Sequence, residues 1–201
     1  MTAVVARLQL VAVGASMGGV TAIESLLARL PATMPPLLVV QHTLPGFTAS
    51  LASRLDMVSP FDVREARHAE PLQAGVVLVA PSHTHLVVRQ YGSEPRIHLS
   101  HAPPVHSHRP SIDVLFRSLA TLSGVDIVAV LLTGMGRDGA QGMLELRQAG
   151  AQTIAQDQDS SVVFGMPREA IALGAARHVS SLANLPAKIV ACLGGSPPAS
   201  T

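Results

Sequence analysis

The feature that most constrains this chain is a recurrence of short apolar runs, each followed by a stretch with helical spacing. Residues 8–13 form such a run, and Val20, Ile23, Leu26, Leu27 and Leu30 then share one face of a helix predicted over 19–30. The pattern repeats with strands predicted at 37–41, 126–132, 152–156 and 177–180. Helices are predicted at 48–57, 111–122, 139–148, 167–173 and 185–193. A strand that is apolar at every position must be covered on both faces, so the alternation predicts a parallel sheet with right-handed crossovers. The middle differs: 62–66, 76–80, 85–89 and 96–100 read as short strands parted by Gly, Pro and Ser, without helices between them. The last pair, around Tyr91-Gly92-Ser93-Glu94, reads as an antiparallel hairpin at a sheet edge. The expected fold is α/β: one doubly wound, mostly parallel sheet with helices on both faces and an antiparallel edge hairpin.

Composition narrows the function classes. A chain of 201 residues suits one domain with a sizeable core, and its 48% hydrophobic content comes mainly from Ala, Val and Leu, with 2% aromatics. No apolar run approaches the ~18–20 residues that span a bilayer, and only Arg7 charges the front of 8–15, so that stretch reads as a strand rather than a signal peptide. The net charge of +1 comes without a dense basic tract or aromatic platform, which argues against nucleic-acid binding. No basic amphipathic helix suggests a membrane surface. Cys192 is alone, so no internal disulfide forms; its expected role is packing, and a reducing cytoplasm is the simplest setting. The tail 194–201, small and Pro-rich, is expected to be disordered.

The first strand-to-helix junction is Val13-Gly14-Ala15-Ser16-Met17-Gly18-Gly19. As a dinucleotide fingerprint it places Ser16 where glycine must admit a pyrophosphate, and the second strand ends near His42 instead of an acid. As G-x-S-x-G it is a nucleophile elbow that lifts a serine hydroxyl above the sheet, although serine at a turn is also a common helix cap. His42 follows a strand's carboxyl end, and so does Asp138, through Thr133-Gly134-Met135-Gly136-Arg137. A hydroxyl is a poor nucleophile unless a base and an orienting acid assist it, and the three residues converge on the sheet edge where open α/β folds bind ligands. The order Ser, His, Asp differs from that of the α/β-hydrolases. Asp138 can also cap the helix at 139–148. His83/His85 and His106/His108 are H-x-H pairs, read as loop hydrogen-bonding groups rather than metal ligands. No cofactor and no metal is expected.

Longer stretches then carry a resemblance. Gly14-Ala15-Ser16-Met17-Gly18-Gly19, Gln41-His42, His108-Arg109-Pro110-Ser111-Ile112-Asp113, Leu132-Thr133-Gly134-Met135-Gly136-Arg137-Asp138-Gly139 and Val163-Phe164-Gly165-Met166-Pro167-Arg168-Glu169 occur in order. Over nearly its whole length the chain resembles the catalytic domain of bacterial chemotaxis methylesterases, the CheB family. The resemblance implies hydrolysis of glutamate γ-methyl esters on the cytoplasmic helices of methyl-accepting chemoreceptors, with methanol release, and deamidation of receptor glutamines. It makes Ser16 the nucleophile, His42 the general base, Asp138 the orienting acid and Met135 the source of an oxyanion N–H. Two departures stand out. Met17 occupies a position where the family commonly has threonine, and the chain starts close to the first catalytic strand, where full-length members carry a receiver domain and linker. The expected organisation is a catalytic domain over 1–193, the tail, and no receiver domain, whether as an excised domain or a stand-alone esterase. Arg109, Arg137 and Arg168 lie beside these motifs; Arg137 and Arg168 are expected to meet carboxylates of the substrate, the alternative being internal pairing, for instance Arg168 with Glu169. Two other readings remain open: a binding module that keeps the fold without turnover, and an esterase recruited to a different ester.

Overall fold

A computed structural model describes residues 7–92 and 94–194. In chain order the elements are β1 (Leu8–Ala15), α1 (Gly19–Leu27), β2 (Leu37–Gln41), α2 (Thr48–Val58), β3 (Asp62–Glu65) and β4 (Val76–Val79). The hairpin strands β5 (His85–Tyr91) and β6 (Glu94–Ser100) and the helix α3 (Ile112–Ala120) follow. The last third comprises β7 (Val125–Leu131), α4 (Ala140–Gln148), β8 (Gln152–Gln156), α5 (Met166–Ala172), β9 (His178–Ser180) and α6 (Leu185–Cys192).

Seven of these strands form one sheet in the order β3-β4-β2-β1-β7-β8-β9, with every neighbouring pair parallel. Because successive side chains point to opposite faces, the apolar strands feed two cores. Val11, Val13, Leu37, Val39, Val128 and Val130 pack with Ile23 and Leu26 of α1, Leu51 and Leu55 of α2, and Ile189 of α6. Leu10, Ala12, Leu38, Val40, Ala129 and Leu131 pack on the other side with Ile112 and Phe116 of α3, Met143 of α4 and Met166 of α5. The chain winds outward from β1 on one side and then returns to β7 on the other. The switch point therefore lies between β1 and β7.

Three details depart from the sequence reading. Helix α1 ends at Leu27 rather than at 30, since Pro31 disfavours helical backbone just before it; Leu30 is still buried. β3 and β4 extend the parallel sheet although no helix connects them. The intervening segment instead spends its backbone bonds on β6, with Ala69 N–H donating to Ile97 O at 2.9 Å and Ile97 N–H to Glu70 O at 2.9 Å. The hairpin is present in antiparallel register, but as a separate two-stranded sheet. Leu86, Val88 and Ile97 turn inward to join the α3 side of the core, and Val88 N–H bonds Ser118 Oγ at 3.0 Å, so the hairpin covers α3 rather than a sheet edge. Cys192 is half-buried in α6, and burial pushes its thiol pKa up, in keeping with packing. The tail, apart from Gly194, lies outside the described residues.

Close packing at the strand ends sets up the site. Ile112, the first residue of α3, is wedged against two glycines. A Cβ on Gly14 would overlap its side chain, and one on Gly139, whose φ is +91°, would come within 2.6 Å of its Cγ2. This close approach gives the first glycine of the elbow a packing reason. Gly14→Ala is expected to lower stability by about 1–3 kcal/mol through overpacking, read as a lower urea midpoint at unchanged slope. An unchanged midpoint would show that α3 is free to move off the strand.

Candidate active site

Ser16 opens the loop from β1 to α1, where its backbone is held from three directions. Its N–H donates to Thr133 O at 3.0 Å, and its carbonyl accepts from Gly19 N–H at 2.8 Å and Gln41 Nε2 at 2.8 Å. Gly18 takes the left-handed conformation, with φ of 78°, that turns the chain into α1. No side chain caps α1, so Ser16 does not serve as its cap. Gln41 also donates to the carbonyl of His42 at 2.8 Å, and this one buried carboxamide joins both loops.

His42 and Asp138 meet. His42 Nε2 lies 2.8 Å from Asp138 Oδ2, with both side chains nearly inaccessible at 7% and 2% exposed. Asp138 does not cap α4, whose N-cap is Gly139. Its carboxylate sits instead at the amino terminus of α3. Oδ1 accepts from Ser111 Oγ at 2.7 Å and Asp113 N–H at 3.1 Å, while Oδ2 accepts from Ile112 N–H at 2.8 Å. Burial alone would raise its pKa; the hydrogen bonds from His42, Ile112, Ser111 and Asp113 outweigh burial and hold it below the ordinary carboxylate value. An ionised carboxylate only accepts hydrogen bonds, so Nε2 of His42 is the donor. In the neutral ring, Nδ1 then carries the lone pair. Nδ1 is buried without a hydrogen-bond partner among the described residues, and Ser16 Oγ makes no hydrogen bond to it.

The ring of His42 stacks on that of His108, with centroids 3.7 Å apart and planes 9° from parallel. His108 is delivered by a tight turn closed by Val105 N–H to His108 O at 3.0 Å and the reciprocal bond at 2.9 Å. His106 and Ser107 at its centre both have positive φ, an uncommon cost for residues with side chains. Burial lowers the pKa of His108, and repulsion from His42 adds to it, so a neutral ring is favoured against that of His42. The H-x-H pairs do not act as pairs. His106 bonds Asp113 at 3.0 Å while His108 stacks on His42; His85 bonds Pro103 O at 3.0 Å and accepts from Ser111 N–H at 3.1 Å, whereas His83 lies near His101. Ligand atoms of His106, Asp113 and Asp138 lie within 4.8 Å of one another, but all four carboxylate oxygens already accept protein hydrogen bonds. The donor set is that of a hydrogen-bond network.

Across the loop after β7, a Cβ on Gly134 would come within 2.6 Å of Ser16 Cβ, which places the Met135 peptide beside the serine. Among the described residues, the N–H groups of Met135 and Met17 find no protein acceptor. Thr133 ties three loops together: its hydroxyl donates to Met17 O at 2.9 Å and accepts from Val163 N–H at 2.9 Å. A neighbouring groove of about 530 Å³ is lined by Met135, Arg137, Phe164, Arg168 and Glu169. Arg137 is exposed and forms no ion pair among the described residues, whereas Arg168 pairs with Glu169 at 3.1 Å. Arg109 reaches the carbonyls of His101 and Ala102 at 3.4 Å. Sequence reasoning gave no role to Gln41, Thr133 or Ser111 and read His108 as a loop hydrogen-bonding group, whereas it stacks on His42; a glutamine ending an apolar strand was the one local signal.

Comparison with known proteins agrees with this architecture. The CheB methylesterase family model matches residues 11–189. A protein of Paraburkholderia xenovorans named protein-glutamate methylesterase/protein-glutamine glutaminase is 50% identical over 185 residues, 92% of this chain and 51% of that protein. One of the same name from Photorhabdus laumondii is 49% identical over 183 residues, 91% of this chain and 52% of that protein. The chain thus spans about half the length of the curated relatives it matches. The crystal structure of the Thermotoga maritima CheB methylesterase catalytic domain superposes with a TM-score of 0.87 at 36% identity, covering 90% of this chain and 97% of that one. With a family match across most of its length and half its residues identical to those relatives, the chain belongs to the CheB methylesterase family.

Proposed function

We propose that this chain is a serine hydrolase that demethylates glutamate γ-methyl esters on the cytoplasmic helices of chemoreceptors, as part of chemotactic adaptation in the cytoplasm. The observation that carries the reading is the His42–Asp138 contact of 2.8 Å at the sheet's switch point, next to a serine on a strand-to-helix elbow. In this reading Ser16 Oγ attacks the ester carbonyl as its proton passes to His42 Nδ1, and Asp138 stabilises the imidazolium. The oxyanion accepts from Met135 N–H, with Met17 N–H as second donor; such a donor is typically worth ~3–4 kcal/mol in the transition state. Collapse of the intermediate expels methanol, which takes the proton from His42 and leaves a glutamyl ester on Ser16. Water, deprotonated by the same nitrogen, then releases glutamate. Glutamine follows the same path with ammonia leaving, which suits the double name of the relatives. Ser16 and His42 share no hydrogen bond; catalytic contacts of this kind often tighten only as the substrate binds. No helix among the described residues is long and apolar enough to cross a membrane.

Ser16→Ala is expected to abolish methanol release from methylated receptor while leaving the unfolding midpoint unchanged, and Asp138→Asn to retain more activity, at a loss of about ten-thousandfold. Parent-like turnover by Ser16→Ala would rule out covalent catalysis at this residue.

Arg137, exposed at the groove, is the residue proposed to meet carboxylates flanking the ester. Arg137→Ala should raise KM for methylated receptor, with a salt-sensitive difference, and leave a small neutral ester unaffected. Equal responses of both substrates would remove Arg137 from recognition.

The depressed pKa of Asp138 carries a stability signature. The fold favours its ionised form, so the contribution is fully present above the unfolded-chain value, about 3.9, and is lost as pH falls through the lower folded value. The stability difference between parent and Asp138→Asn should shrink as pH falls from about 5 toward 3 in urea titrations. A difference that persists undiminished at pH 3 would contradict a preferentially ionised Asp138.

A further inference from the structure

Five large apolar side chains stand exposed around Ser16, each on a loop leaving the carboxyl end of a strand. Met17 follows β1, Leu44 and Phe47 follow β2, Met135 follows β7 and Val162 follows β8, and each is between 54% and 71% accessible. Exposed apolar side chains gathered on the loops of one sheet rim are a costly surface unless something covers them. The backbone beneath these residues is fixed. Thr133 joins the Met17, Met135 and Val162 loops, and Val162 closes over the nucleophile's loop so tightly that a Cβ on Gly18 would lie 2.6 Å from its Cβ. The other side is anchored by His42 N–H to Ala15 O at 3.0 Å, Gly46 N–H to Ser82 Oγ at 3.0 Å and Leu51 N–H to Phe47 O at 3.0 Å.

We propose that Met17, Leu44, Phe47, Met135 and Val162 form a docking collar for one face of an amphipathic α-helix in the protein substrate. That helix presents apolar residues one turn before and one turn after the side chain that enters the site. The proposal rests on the methylesterase reading and adds the feature by which a substrate segment is chosen. Continuity with the site identifies the occupant: a glutamyl side chain reaching Ser16 carries its own backbone across the collar. The rim consists of strand ends, and the sheet's two edge strands, β3 and β9, lie three strands away from β1. An extended segment therefore finds no edge of the seven-stranded sheet beside β1 to pair with, whereas a helix satisfies its own backbone. Leu44 and Phe47 approach from the β2 side and Met135 and Val162 from the β7 and β8 side, so apolar contacts flank the reacting carbonyl. Residues three and four apart on a helix flank a central side chain in the same way. Arg137, exposed at the groove and without an ion pair among the described residues, meets an acidic group on the polar flank.

The test uses the whole chain and two designed helical hairpins. Each carries one exposed glutamate γ-methyl ester, flanked at positions −4 and +3 by leucine in one hairpin and by serine in the other. p-Nitrophenyl acetate serves as a small ester that makes no helix contact. For the parent, kcat/KM from methanol release should be about tenfold higher for the leucine hairpin. In a Leu44→Ser/Val162→Thr variant that ratio should fall to near one, with p-nitrophenyl acetate hydrolysis unchanged. Equal rates on both hairpins for the parent would overturn the proposal, as would a preference that survives in the variant. A proportional loss on the small ester would show that these side chains shape the reacting site instead. Self-association of the parent that the variant abolishes, without any hairpin preference, would give the collar to a second copy and overturn the proposal. Release of methanol from neither hairpin, with the small ester still cleaved, would overturn the methylesterase reading itself and the collar with it.

Discussion

The architecture of the site depends on one buried carboxylate at a helix amino terminus. The first turn of any helix leaves N–H groups without intrahelical partners and carries a partial positive charge. Asp138 fills that role for α3, taking the N–H groups of Ile112 and Asp113, while the N-cap Ser111 donates its hydroxyl to the same carboxylate and accepts from Val114 N–H at 3.4 Å. The remaining direction on Oδ2 belongs to His42. One anion thus pins α3 to the strand ends, seats Ile112 against Gly14 and Gly139, and fixes the tautomer of the histidine. Removing one partner of such a buried arrangement typically costs ~3–5 kcal/mol, so fold and chemistry share a single point of failure.

A second carboxylate beside it behaves in the opposite way. Asp113, the next residue but one after the N-cap, is fully buried; burial raises its pKa, the Gly142 N–H at 2.6 Å opposes that, and the charge of Asp138 reinforces it. Two neighbouring buried acids are easier to accommodate when their proton affinities are pushed apart. The four donors to Asp138 favour its ionised form more strongly than that of Asp113, and His106 is left to partner Asp113. The residue that faces His42 is therefore the one whose ionised form the fold favours.

How much of this was legible in the sequence follows from the range of each interaction. Strands such as Leu37–Gln41 were legible to the residue because burial on both faces makes every position apolar. Ser16, His42 and Asp138 were legible as candidates because each follows a strand's carboxyl end, a place that topology alone maps to one rim. The separate hairpin and the helix-free link to β4 were not, because their hydrogen bonds run between segments distant in sequence. Gln41, Thr133 and His108 escaped for the same reason: each acts across the fold, through a carbonyl, a loop or an aromatic face with no local periodicity. Asp138 shows the middle case, where the residue was legible but its helix was misassigned, since the nearby α4 was the obvious choice and the docked one was α3.

Rigidity and recognition are separable in this rim because they use different atoms. The loops after β1, β7 and β8 are held by inward-facing groups: Ser16 N–H on Thr133 O, Thr133 N–H on Gln156 Oε1 at 2.8 Å, the Thr133 hydroxyl between Met17 and Val163, and Gly134 O accepting from Met166 N–H at 2.8 Å. The side chains of Met17, Met135 and Val162 take no part in these bonds and are more than half exposed. In the proposed mechanism, preorganised oxyanion donors require a fixed backbone, since dipoles that must reorient during reaction lose most of their advantage. The proposed docking of a substrate helix requires only that exposed side chains match a partner. A backbone-held rim satisfies the first demand without constraining the second.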